Sequence, residues 1–239
     1  MVAMSDPFLA ASSLEGVASA FAATRDGIDA LLRDRGLRRV SPDDTSRSLL
    51  LGAAATAALE GSEFSADELA DGGGDTTARA ALRLSTELLG LVPVWRRVPI
   101  QAIARLHALA AAGSVPDEAL GRPDGDTSRL AALARNLSVP TKAPGLAVAA
   151  IVHAEILSSG AFSSHAGVVA RAAERIVLVE RGVDPPSVTV PEAGHAAVPD
   201  GYRSALEAYA AGTEAGVAQW LRYASQAFAR GAEASPLAR

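Results

Sequence analysis

The segment 153–171, HAEILSSGAFSSHAGVVAR, gathers most of the side chains in this chain that could do chemistry. Between two apolar stretches it sets a short run of small polar residues, Ser163, Ser164 and His165, followed by Gly167 and, one helical turn on, Arg171. A small-residue loop that runs into a helix exposes backbone N–H groups at the positive end of the helix dipole, and such a nest binds phosphate or carboxylate. Arg171 would add a charge-assisted hydrogen bond to the same anion. His165 is the one side chain in the loop able to exchange a proton near neutral pH. An ordinary helix-loop-helix corner has the same local pattern, so the loop alone does not fix a function. The other histidines read as packing groups: His107 and His153 fall in helical patterns, and His195 falls in a stretch of Gly and Pro. With no cysteine and no close pair of histidines, no metal site is expected.

The elements that must hold this loop are helices. Residues 146–157 are apolar nearly all round, which marks a helix buried on most sides and the centre of the fold. Residues 166–181 form the helix beyond the loop, stopped by Gly182 and the Pro185, Pro186 pair. Apolar spacing and caps predict earlier helices over 14–36, 42–61, 66–69, 77–89, 99–113 and 128–137, and later ones over 201–211 and 214–231. Residues 114–126, rich in Gly, Pro and Asp, read as a surface connection without the alternation of a strand.

Composition narrows the class further. Hydrophobic residues make up 49% of the 239 and aromatics only 4%, so the interior must be built from Ala, Leu and Val, which suits closely packed helices. A net charge of -5 would repel a phosphate backbone, and nucleic acid is not an expected partner. No apolar run approaches the roughly 20 residues of a membrane span, so no membrane is expected either. The first residues lack a basic, then apolar, leader, and a cytoplasmic location is the expectation. Lys142 is the one lysine among 22 basic residues, a skew that fits high-GC coding and carries no functional weight.

The order of several residues resembles the Fic (Fido-fold) family, most of whose members move AMP from ATP onto a hydroxyl side chain of a target protein. The family signature is H-x-F-x-[D/E]-G-N-G-R-x-x-R between two helices, with another His seven residues before its first. Here the upstream His is His153, and Phe162, Gly167 and Arg171 match the signature Phe, the last Gly and the second Arg. Gly160 stands where the catalytic His belongs, Ser164 where the Mg-binding acid belongs, His165 and Ala166 where Gly and Asn belong, and Val168 where the first Arg belongs. Thr56-Ala-Ala-Leu-Glu60-Gly61 is similar to the family's inhibitory helix, [S/T]-x-x-x-E-[G/N], whose Glu pairs with the second signature Arg. Ile103 to His107 resembles the I-x-x-L-H segment, and Tyr202, Leu206 and Trp220 resemble the closing Tyr, Leu and Trp pattern.

The resemblance implies an all-α, Fic-like helical bundle with a buried central helix followed by the signature loop and helix. The implied organisation is an N-terminal helical extension over 1–44, the Fic-like domain over 45–231 and a disordered tail over 232–239. It also implies an anion- or nucleotide-binding set of Ser163, Ser164, His165, Gly167 and Arg171, and an inhibitory motif of Thr56, Glu60 and Gly61. Glycine cannot act as a general base, a serine hydroxyl is a poor Mg ligand, and valine supplies no charge to a phosphate. The expected function is therefore that of a Fic-like pseudoenzyme with no catalytic residue, no metal and no resident cofactor, binding a protein partner or a small anion. ATP with Mg is expected to bind weakly or not at all. The alternative is an active AMP or phosphoryl transferase with a non-standard loop, in which His165 is the rescue candidate. The missing strand pattern in 114–126, where Fic enzymes carry a target-aligning flap, weakens the case for a modified protein target. A homodimer is compatible with either reading.

Overall fold

The computed structural model describes residues 6–35 and 40–238. Thirteen α-helices occur among them and no strand; an isolated bridge between Ala112 and Val115 is the nearest approach to β structure. The all-α expectation is met. The expected stop at Gly36 and the last residue of the expected tail, Arg239, lie outside the described residues.

Two helices organise the rest. α9 (Gly145–Ser158) buries ten residues, from Leu146 through Ala154 and then Ile156, as its all-round apolar sequence requires. α10 (Ala166–Glu180) buries every residue from Gly167 to Leu178 and packs along α9. α13 (Glu214–Glu233) lies against α9 and is pinned there by Trp220, whose indole N–H donates to the Ala150 carbonyl at 2.8 Å. α2 (Val17–Arg35) covers α13, and Phe8 of the short α1 (Pro7–Ser12) joins the same core as Phe228 and Trp220.

α3 (Pro42–Leu59) matters most for the site. Ser41 opens it with a reciprocal cap: its hydroxyl accepts the Asp44 N–H at 3.1 Å and the Asp44 carboxylate accepts the Ser41 N–H at 2.9 Å. Gly61 closes it at φ 88°, a left-handed conformation that glycine adopts without strain. The helix packs on α5 (Thr76–Glu87) and α11 (Pro191–Ala196) and reaches α10 beside Thr56. Its last turn thereby brings Glu60 to the start of α10.

Four elements differ from the sequence expectation. α1, α6 (Val92–Arg97) and α11 were not anticipated, because each is six residues long, too short to display a helical period, and each begins at or next to a proline. His195 consequently sits in α11 and is fully buried, not in a loop. The segment expected as a disordered tail continues α13 to Glu233 and then makes a 3-10 turn, Pro236–Ala238, whose Leu237 packs into the core. A lone leucine after several small residues offers no periodic signal.

Candidate functional site

The loop between α9 and α10 runs from Ser159 to His165. Gly160 adopts φ 62° and His165, the residue before α10, adopts φ 58°. Open space surrounds the position that a Gly160 side chain would take, so its glycine is explained by backbone conformation alone. Phe162 is buried and stacks on His107 with ring centroids 4.3 Å apart, which fixes the loop to α7 (Pro99–Ala111). The connection after α7 folds over the loop. The Asp124 and Gly125 N–H groups donate to the Ala161 carbonyl at 3.0 and 3.1 Å, and the Ser163 N–H and hydroxyl both donate to the Asp124 carboxylate. These bonds hold the Asp124 carboxyl below its ordinary range. Ser163, expected to hold an anion, thus holds one from the chain itself.

Gly167 opens the first turn of α10, and the reason for its glycine is steric. A Cβ there would stand 3.1 Å from Nη2 of Arg171 and collide with the carboxylate of Glu60. The space against the first turn of α10 is filled by an ion pair: Arg171 donates from Nη2 to Oε1 of Glu60, 111 positions away in sequence, and from Nη1 to the Tyr202 hydroxyl at 3.2 Å. Arg171 is buried, while the Glu60 side chain keeps 34% of its surface exposed. Nε of Arg171 has no partner among the described residues. The carboxylate of Glu60 thus lies where the positive end of the α10 dipole favours a negative charge.

Of the remaining expected site residues, Ser164 is half-buried in the loop, and Thr56 lies buried in α3 beside Val168 and Ala172 of α10. Val168 itself belongs to the hydrophobic core. His165 is half-buried, its Nε2 3.3 Å from the Ser114 hydroxyl and its Nδ1 without a partner. Burial pushes its pKa down, against the pull of nearby Glu60. Beside the ion pair a cleft of 440 Å³ opens between the end of α3 and α12 (Pro199–Ala210), lined by Leu59, Gly61, Tyr202, Arg203 and Glu207 among others. That volume lies within the roughly 300–1,000 Å³ usual for small-molecule sites.

Behind Arg171 lies a cluster that the sequence reading missed. The Tyr202 hydroxyl also meets Nε2 of His153 at 2.7 Å, and Glu174 lies between His153 and His195, 3.0 Å from Nδ1 of one and 3.0 Å from Nε2 of the other. The two histidine rings, far apart in the chain, are 4.9 Å apart in space, so the expectation of no close His pair does not hold. Burial pushes His153 down to about 4, against the pull of Glu174. Burial pushes the Glu174 carboxyl up, but the two imidazoles outweigh it and hold the group at about 2. The signal available in sequence was Glu174 and Arg175 standing in the middle of the otherwise apolar run of α10. Charges at such positions are buried and must be paired.

No protein-family model and no curated protein sequence matches the chain. Among solved structures it is similar to a Fic family protein from Desulfovibrio desulfuricans G20, with a TM-score of 0.75 and 16% identity, the match covering 93% of this chain and 74% of that one. An identity so low carries no inference about chemistry, but the agreement extends over nearly the whole chain. This chain has the fold of a Fic family protein.

Proposed function

We propose that this chain is a Fic-fold anion-binding protein that does not transfer AMP, and that its anion site is held closed by its own Glu60. The observation that carries this reading is the Glu60–Arg171 pair seated against Gly167, because a negative group of the chain fills the place where a phosphate would meet Arg171 and the first turn of α10. The ligand class is a small phosphate-containing molecule, its phosphate exchanging with the Glu60 carboxylate and the rest lying in the cleft beside Tyr202 and Arg203.

The case against transfer rests on three positions. Gly160 offers no base to take a proton from an attacking hydroxyl, a function that commonly contributes 10²- to 10⁴-fold. Ser164 offers no carboxylate to a Mg ion, and Val168 is packed in the core and offers no charge. Asp124, lying over Ser163, further narrows the approach of a target segment to the loop.

A second reading has one observation in its favour: His165 lies in the same loop with an Nδ1 that has no partner among the described residues. Incubation of the protein with labelled ATP, Mg and a native lysate decides between them. The proposal expects no label above background. Transfer that is well above background and abolished by His165→Ala would overturn it.

A further inference from the structure

We propose that His153, Glu174 and His195 bind a divalent transition metal, zinc by its donor set, as a structural staple in the core. The three residues come from three helices, α9, α10 and α11, and all three are fully buried. One candidate ligand atom from each, Nδ1 of His153, a Glu174 oxygen and Nε2 of His195, lies within 4.8 Å of the others. A tetrahedral zinc with bonds of 2.0–2.2 Å separates its ligand atoms by roughly 3.3 Å, so small side-chain rotations close this set around an ion.

Two further observations point to a cation. First, Nδ1 of His153 and Oε1 of Glu174 face each other at 3.0 Å, and neither atom has any other partner among the described residues. A cation bound by both atoms would use the acceptor capacity that this single buried contact leaves open. Second, Glu174 has no arginine or lysine partner among the described residues. Arg171 is engaged with Glu60 and Tyr202, and Arg175 with Glu192 and three further oxygens. A buried carboxylate needs a compensating positive charge, and a metal ion supplies it while both imidazoles stay neutral.

The outer contacts fit the same arrangement. For both imidazoles to offer a lone pair to the metal, their protons must sit on the far nitrogens, Nε2 of His153 and Nδ1 of His195. Those nitrogens meet the hydroxyl oxygens of Tyr202 at 2.7 Å and Tyr223 at 3.2 Å. Metal-binding histidines are regularly oriented by such a second hydrogen bond. Two imidazoles and one carboxylate suit zinc, whereas Mg and Ca prefer all-oxygen sets. With no solvent access, the ion would enter during folding.

The test uses untagged, full-length protein. Elemental analysis of protein purified without chelator should find about one zinc per chain. Protein unfolded in a chelator and refolded with one equivalent of Zn(II) should melt at least about 5 °C above protein refolded without metal. Refolding with Co(II) should give visible ligand-field absorption, and Glu174→Gln should abolish both zinc content and that absorption. Should Glu174→Gln fail to fold, the wild-type zinc content and cobalt spectrum decide alone. Metal-free protein whose melting is indifferent to zinc, with no cobalt spectrum, would overturn the proposal, as would full zinc content retained by folded Glu174→Gln.

Discussion

Arg171 and Arg175 stand one turn apart on α10, both buried, and each is paired with a glutamate, yet their surroundings differ in kind. Arg175 spends all five N–H donors: Nε and Nη2 grip Glu192 at 2.9 and 2.8 Å, and the rest reach Ser48, Ser187 and the Thr189 carbonyl. Its glutamate is as enclosed as the arginine. Arg171 makes one bond to a glutamate that remains one-third exposed, one bond to Tyr202, and leaves Nε idle. Saturation on every donor marks an arginine that holds a structure together. Spare donors beside an open cleft, with a partner at the end of another helix, mark one whose anion can be exchanged.

The largest effect should come from breaking the saturated pair. Glu192→Gln leaves a buried guanidinium without its charge partner and should cost about 3–5 kcal/mol, measured by denaturant unfolding. Arg175→Lys with Glu192 intact should also be costly, since an ammonium cannot reproduce the two-pronged grip. Gly167→Ala comes next. Alanine normally favours a helix over glycine by up to about 1 kcal/mol, but here its methyl collides with Glu60 and Arg171, so a net loss of about 1–3 kcal/mol is expected. In a Glu60→Gly background that loss should shrink, and a double-mutant cycle on unfolding free energy would show the coupling. Glu60→Gln should be milder still, about 1 kcal/mol or less, because Glu60 is itself one-third exposed and water reaches the place its carboxylate leaves. A Glu60→Gln cost equal to that of Glu192→Gln would erase the distinction between the two arginines.

The smallest effect concerns the cover over the loop. Asp124 is held below its ordinary pKa of 3.8, chiefly by the Ser163 hydroxyl and N–H. A group whose pKa is lowered on folding contributes above the unfolded value and loses that contribution as pH falls. Hydrogen exchange at the Ser163 amide should therefore be slow at neutral pH and quicken below about pH 4, relative to neighbouring amides. Asp124→Ala should show the fast behaviour at every pH with little change in melting temperature.

Much of the scaffold was legible because α9 and α10 carry their burial in their composition, and because Pro42, Ser65 and Gly61 punctuate helices in the ordinary way. The two halves of the ion pair could be named in advance only through a family resemblance, since no local propensity joins Glu60 to Arg171. The cluster of His153, Glu174 and His195 was not legible. It depends on α11, a helix too short to show periodicity, turning His195 inward onto a face of α10. The same holds for Asp124, whose contact with Ser163 is made by a connection without regular structure.

The claim that Glu60 stands in for an exchangeable anion is tested most directly by calorimetric titration of ADP into wild-type protein, Glu60→Gly and Glu60→Gly/Arg171→Leu. Removal of the carboxylate should raise ADP affinity at least tenfold, about 1.4 kcal/mol, and the gain should vanish when Arg171 is also lost. Equal affinity in wild type and Glu60→Gly, or a gain that survives Arg171→Leu, would contradict the account.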